Sequence, residues 1–251
     1  KFMNTQLTEL LTNYGKVGAI WFDGWWDHDS DAKPFDWQLE EQYAMIHKLQ
    51  PQCLVANNHH HTPFPGEDIQ IFERDLPGEN KAGLSGQSIG RLPLESCQTI
   101  NEHWGYNITD TLYKSPKELI QMLVRAAGKN ANLLLNIGPE PGGALPELAL
   151  NRLQAIGEWL NKYGETIYGT RGGIVTPHEW GVSTQRGNKL YIHILNCMDS
   201  SLFIPTGNHK IKSATVFGTN KRVNFTKTGN GITLNFDTVP TDIDYIVELT
   251  L

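Results

Sequence analysis

GAIWFDGWWDH, residues 18–28, begins as a buried strand and ends on a carboxylate, a glycine and two tryptophans. A strand that serves only as core has no use for Asp23 at its end. A strand that presents a nucleophile to an aromatic-walled pocket would end on such a carboxylate, and Gly24 permits a close turn directly behind the acid. The stretch therefore predicts a strand whose carboxyl end carries a functional side chain.

The composition narrows the class of protein. The 251 residues are 39% hydrophobic and 19% charged, with a net charge of −6 and no clustering of lysine and arginine. The lack of a basic stripe argues against nucleic acid as a partner, and no apolar run reaches the ~18 residues of a membrane span. Cys53, Cys97 and Cys197 lack metal-site spacing. We expect Cys53 and Cys97 to be buried free thiols.

Helices and short apolar strands alternate through residue 170. Strands are predicted at 17–22, 53–58 and 131–139, with another inside 96–107 that ends near Trp104 and a long loop before it. Apolar strands that alternate with helices favour parallel pairing. Their carboxyl ends carry the active site in barrels of this type. The clusters at these ends are Asp23 with Trp25, Asn57 to His59, Trp104 with Asn107, and Asn136.

The pattern changes after Gly172 and Gly173 to short alternating strands separated by turn residues, including a hairpin turn at 228–231. This tail predicts an antiparallel β-sandwich domain at 171–251. Residues 1–170 supply about half of a (β/α)₈ (TIM-like) barrel, which needs ~250 residues. We therefore expect the C-terminal portion of an α/β barrel, with the N-terminal half supplied by an upstream segment or another chain.

Several motifs resemble those of the family-29 glycoside hydrolases, the α-L-fucosidases. They are AIWFDG (19–24), FERDLPGEN (72–80), LPLESCQTINEHWGYN (92–107) and NLLLNIGP (132–139). The similarity covers nearly the whole chain in order. It implies a retaining exo-glycosidase that removes terminal α-L-fucose by double displacement and needs no cofactor.

Retaining hydrolysis requires two carboxyl groups ~5–5.5 Å apart. The resemblance implies that Asp23 is the nucleophile and that Trp21 packs near the fucose. Three glutamates remain open as the acid/base: Glu73, Glu79 and Glu95. Glu73 is favoured because its segment aligns best with the variable loop that carries the acid in the family.

The cluster at 57–61 and Trp104 are candidates for sugar contacts. His59 stands where many members of the family carry an arginine, so it either contacts the substrate or belongs to a solvated loop. A metal site is not expected from the three adjacent histidines, because neighbouring residues of an extended chain point in opposite directions. Trp104 either lines the pocket or closes the barrel mouth.

The leading interpretation is an α-L-fucosidase that acts on fucosylated oligosaccharides or glycoconjugates. Two alternatives stay open: a retaining glycosidase for a related sugar such as galactose, since fold does not fix substrate, and a carbohydrate-binding protein without turnover if the missing half barrel is not supplied. Motifs such as FERDLPGEN (72–80) resemble those of bacterial glycan-degrading enzymes. This resemblance favours a periplasmic or secreted protein, or a lysosomal one in a eukaryote.

Overall fold

The computed structural model describes residues 1–28, 30–33 and 35–251. The chain forms two compact units, Lys1–Gln98 and Thr99–Leu251. The expected domains, 1–170 and 171–251, stay a prediction. Each helix among the described residues is too short or too polar to cross a membrane.

The first unit is built on parallel strands, as the alternation of helices and apolar strands predicted. Four strands neighbour one another in chain order, and each of the three pairings is parallel. Since neighbouring strands run the same way, their carboxyl ends share one edge of the sheet. The elements are α1 (Phe2–Asn13), β1 (Ala19–Phe22), a 3₁₀ turn (Trp25–His28), α2 (Leu39–Leu49), β2 (Leu54–Asn57), β3 (Ile69–Glu73) and β4 (Leu94–Thr99).

Helices α1 and α2 pack against β1 and β2, the first two strands of this sheet. Leu7 and Leu11 of α1 join Tyr43 and Ile46 of α2 in one buried cluster with Val55 of β2. Burying such side chains fully stabilises the fold by roughly 1.5–3 kcal/mol each. The cluster fixes β1 and β2, the strands that lead to the polar residues of interest.

Two predictions about the strands of the parallel sheet were wrong. Residues 69–73 were predicted to be loop, yet they form β3, in which Ile71 and Phe72 are buried. The strand expected to end near Trp104 ends at Thr99. Both errors concern short segments that become strands through pairing with neighbours, and pairing is not a local property of sequence.

The second unit begins with a helix-strand-helix segment. The predicted cap of α3 is confirmed: Ser115 and Glu118 form a capping box, and Pro116 occupies the first helical position. Gly128 lets this helix approach the antiparallel strands, because a side-chain carbon there would meet Val182 at 2.4 Å. The elements are α3 (Pro116–Gly128), β5 (Ala131–Asn136), α4 (Glu147–Tyr163) and a 3₁₀ turn (Gly164–Thr166).

The rest of the unit is antiparallel, as predicted for the tail. One sheet has the order β10-β13-β8-β7-β6 and the other β11-β12-β9. Apolar side chains of both sheets meet in one buried cluster that includes Ile192 and Leu234. The predicted hairpin turn is confirmed, with Gly229 at φ +53 between β11 and β12. The strands are β6 (Arg171–Gly172), β7 (Gly181–Arg186), β8 (Lys189–Ile194), β9 (Ser201–Ile204), β10 (Ser213–Val216), β11 (Asn224–Thr228), β12 (Gly231–Asn235) and β13 (Tyr245–Thr250).

Candidate active site

Three polar side chains meet where β1, β2 and β3 end. Asp23 and Asn58 each follow the last residue of a strand, and Glu73 is the last residue of β3. Gly24, at φ +84, turns the chain directly behind Asp23. Only glycine adopts this backbone region without strain, so the close turn predicted from the sequence is confirmed.

The amide of Asn58 joins the two carboxyl groups. Its Nδ2 donates to Asp23 Oδ1 at 3.2 Å and to Glu73 Oε2 at 2.8 Å. Because both oxygens contact the same nitrogen, the distance between them cannot exceed the sum of the two hydrogen-bond lengths. That sum is smaller than the ~6.5–9.5 Å that separates the two carboxyl groups in inverting glycosidases. The spacing suits the shorter separation that a retaining mechanism requires.

Glu73 lies in a different environment from Asp23. Asp23 is exposed, whereas Glu73 is buried, with 8% of its surface accessible. His60 Nε2 lies 2.8 Å from Glu73 Oε2, and the Ser85 hydroxyl donates to the backbone carbonyl of Glu73 at 3.0 Å. The two acids are therefore placed for different roles.

A ring contact and an uncommon backbone conformation fix the position of His60. Its ring stacks on Trp26 with 4.8 Å between ring centroids and 3° between ring planes. Its backbone has φ +62, an uncommon conformation for a residue other than glycine. This conformation directs the side chain towards Glu73. Sequence reasoning placed His60 in the polar cluster at 57–61 but singled out His59, because nothing local in a run of three histidines shows which one takes the left-handed backbone.

His59 occupies a different place from its neighbour. It is 3% exposed, and its Nε2 lies 3.0 Å from Glu67 Oε1. Its ring packs against Phe64 with 4.2 Å between centroids. The substrate contact expected for His59 stays a prediction; the structure brings His60, not His59, to Glu73.

The other two candidate glutamates have different partners. Glu95 on β4 accepts a hydrogen bond from Trp21 Nε1 at 3.0 Å. Glu79 forms an ion pair with Lys81 at 3.0 Å. Of the three glutamates, Glu73 is the one that shares a hydrogen-bond donor with Asp23.

The local charge of the site is negative. Burial, followed by the carboxylates of Glu73, Glu95 and Asp23, raises the pKa of the Cys97 thiol to about 12. Cys97 pairs with Glu73 across β3 and β4. The expectation of buried free thiols at Cys53 and Cys97 is confirmed.

Trp104 lies in the second unit, half-buried, in a bend after β4. Its proposed sugar contact remains a prediction. No cluster of three or more His, Cys, Asp or Glu side chains within the described ranges is arranged to hold a metal ion.

Comparison with known proteins assigns this chain to a family. The family model described as "Alpha-L-fucosidase" matches residues 1–165. The chain belongs to the α-L-fucosidase family. An α-L-fucosidase of Dictyostelium discoideum is 31% identical over an alignment of 267 positions, which covers 98% of this chain and 55% of the relative.

Solved α-L-fucosidases share the fold. Isoenzyme 1 from Paenibacillus thiaminolyticus is 33% identical with a TM-score of 0.80, and the match covers 100% of this chain and 61% of that one. A family-29 fucosidase from Bacteroides thetaiotaomicron, trapped as a covalent intermediate with 2-fluoro-fucosyl fluoride, is 25% identical with a TM-score of 0.80; the match covers 99% and 60%. This chain spans between a third and about half of the length of the curated relatives that it matches first.

Proposed function

We propose that this chain carries the nucleophile and the acid/base of a retaining exo-glycosidase that releases terminal α-L-fucose from glycans. The observation that carries the proposal is the amide of Asn58, which contacts both Asp23 and Glu73 and limits their separation. Membership of the α-L-fucosidase family supports fucose as the sugar.

In the first step, Asp23 attacks the anomeric carbon and forms a glycosyl ester. The bond from that carbon to the leaving oxygen breaks, and Glu73 gives its proton to this oxygen. The buried position of Glu73 supports the role of acid. The exposed position of Asp23 leaves its carboxylate accessible to the anomeric carbon.

In the second step, a water molecule attacks the same carbon as Glu73 takes up its proton, and the ester bond to Asp23 breaks. His60 orients Glu73 through its hydrogen bond and is held by Trp26. Trp21, which Glu95 fixes, offers an apolar face to the sugar. Each residue returns to its starting state after one cycle.

We propose that the parallel strands belong to a (β/α)₈ barrel and that the antiparallel sheets form a β-sandwich. Paired parallel strands with polar carboxyl ends support the first assignment, and an apolar core shared by two sheets supports the second. The remaining barrel strands would come from an upstream segment or another chain. The substrate of the complete protein would be a fucosylated oligosaccharide or glycoconjugate.

We further propose that the protein works outside the cytoplasm, in the periplasm, after secretion, or in the lysosome of a eukaryotic cell. A relative named plasma α-L-fucosidase from Rattus norvegicus, 30% identical over 201 residues, supports this location. Cell fractionation with an activity assay on an aryl fucoside tests it.

Replacement of Asp23 by glycine tests the proposed nucleophile. In the intact protein, Asp23→Gly should lower the turnover of an aryl α-L-fucoside by several orders of magnitude, because no ester can form. Added azide should restore part of the rate by attacking the anomeric carbon from the vacated space. Turnover is measured by the release of 4-nitrophenol.

The exposed residue Asp199 offers a matched control. Asp199→Gly should keep the wild-type rate and show no response to azide. An Asp23→Gly variant with the wild-type rate would rule out this residue as the nucleophile. An aryl galactoside assayed in parallel tests the choice of sugar.

A further inference from the structure

A buried polar network lies beside the loop that carries His60. Glu67, which precedes β3, accepts a hydrogen bond from the Tyr43 hydroxyl at 2.9 Å, and His59 Nε2 lies 3.0 Å from the same oxygen. The amide of Asn57 donates to the Tyr43 hydroxyl at 2.7 Å. At most 2% of the Glu67 or His59 side chain is exposed. These contacts therefore take the place of water for both groups.

The hydrogen bonds determine which nitrogen of His59 carries the ring proton. The backbone N–H of His61 donates to His59 Nδ1 at 2.9 Å. A ring nitrogen that accepts such a bond carries no proton, so the proton lies on Nε2 and points to Glu67. Glu67 thus favours the form of His59 that can accept a hydrogen bond from the backbone of His61.

The bond between His59 and His61 closes a tight turn around His60. The residue enclosed by this bond has φ +62. That backbone region is uncommon for a residue with a side chain, so surrounding contacts have to hold it. The turn sends neighbouring rings to different acids: His59 to Glu67, and His60 to Glu73 at 2.8 Å.

Aromatic packing alone does not account for this arrangement. Trp25 lies against His59 and against His61, with 6.3 Å between ring centroids in each pair. Phe64 packs on His59 at 4.2 Å. Such contacts hold the plane of a ring but do not distinguish its two nitrogens. A hydrogen-bond acceptor makes that distinction, and Glu67 supplies it.

We propose that Glu67 is a positioning residue of the active site. It holds His59 in the form that fixes the turn at His60, and this turn places the His60 ring against Glu73. The inference rests on the proposed function, in which Glu73 is the acid/base. Glu67 acts through the two histidines and needs no contact with the substrate.

Replacement of Glu67 by alanine tests the proposal on two substrates of the intact protein. Glu67→Ala should lower kcat/KM for a fucosyl disaccharide about tenfold, because a misplaced acid protonates a poor leaving group slowly. For fucosyl fluoride, which needs little protonation, the loss should be much smaller. Glu67→Gln keeps an oxygen that can accept from Tyr43 and His59, and it should recover most of the lost rate. The exposed Glu9 of α1 is the matched control, and Glu9→Ala should change neither value.

A double variant shows whether Glu67 acts through His60. Without the His60 ring the turn has no side chain to place. Adding Glu67→Ala to His60→Ala should therefore lower kcat/KM for the disaccharide by less than about twofold. Equal losses on both substrates in Glu67→Ala, or losses that multiply in the double variant, would overturn the proposal.

Amide hydrogen exchange at His61 tests the turn without any turnover. In Glu67→Ala the His61 amide should exchange about tenfold faster than in the wild-type protein, while the amides of β2 keep their rates. His59→Leu, which removes the accepting nitrogen, should show the same change if Glu67→Ala fails to fold. An unchanged rate at His61 would overturn the proposal. If the wild-type protein hydrolyses no fucoside, the proposed function fails, and this exchange rate alone then decides whether Glu67 holds the turn.

Discussion

Asn58 contacts two carboxyl groups with one nitrogen atom, and the histidine that completes this arrangement is His60. Sequence patterns located the polar cluster after β2 and the acid after β1. They did not show which ring of three adjacent histidines faces the second acid. That choice depends on the left-handed backbone of His60, which tertiary packing imposes.

Removal of the His60 ring should affect substrates according to their leaving group. His60→Ala should lower kcat/KM for a fucosyl disaccharide about a hundredfold, because a misplaced acid protonates a poor leaving group slowly. For fucosyl fluoride, which needs little protonation, the loss should be much smaller. Steady-state kinetics on both substrates measures the difference.

Two further variants separate positioning from folding. His60→Gln keeps a side-chain nitrogen donor near Glu73 and should recover part of the lost rate on the disaccharide. His61→Ala, at the exposed neighbour, should change kcat/KM only slightly, and by the same factor for both substrates. Equal losses on both substrates in His60→Ala would show that His60 supports the fold rather than the acid.

At the scale of elements, local signals succeeded where a few residues determine the structure. The capping box of α3 and the hairpin turn between β11 and β12 are examples, since each depends on side chains within four residues. β3 was missed because Ile69–Glu73 is short and becomes a strand by pairing with β2 and β4. Its alternation of Ile69 and Ile71 around Gln70 was the available signal.

The antiparallel sheet of β7 and β8 contains a buried polar cluster. Thr184 Oγ1 lies 3.0 Å from His193 Nε2, and His193 Nδ1 lies 2.8 Å from Asp244 Oδ2. The order hydroxyl, imidazole, carboxylate is that of a nucleophilic triad. However, Thr184 and His193 are 0% exposed, and the Thr184 hydroxyl donates to the Thr166 carbonyl at 2.6 Å. The cluster therefore stabilises the fold.

Loss of the buried carboxylate should weaken this element strongly. Asp244→Ala should lower the free energy of unfolding by about 3–5 kcal/mol, because His193 would remain buried without its partner. Urea unfolding followed by circular dichroism measures the change. The exposed residue Asp242 is the control, and Asp242→Ala should change stability by less than about 0.5 kcal/mol. A loss below about 1 kcal/mol in Asp244→Ala would contradict this role.

At the scale of the whole molecule, the class of fold was predictable because strand type follows from hydrophobic pattern. Apolar strands between helices gave parallel pairing, and alternating strands gave antiparallel sheets. The two compact units, divided after Gln98, had no signal in composition. Compactness depends on contacts between distant segments, so the sequence could indicate where the pattern changes and not where contacts concentrate.

Trapping of the glycosyl ester is the most direct test of Asp23 as the nucleophile. 2-Fluoro-fucosyl fluoride combines a good leaving group with a ring fluorine that slows both steps, so the ester should accumulate on the intact protein. After digestion, mass spectrometry should find the fluorofucosyl group on the peptide that contains Asp23, and Asp23→Gly should lose it. A label on any other carboxylate, or turnover of fucosides with no label, would contradict the assignment of Asp23 as the nucleophile.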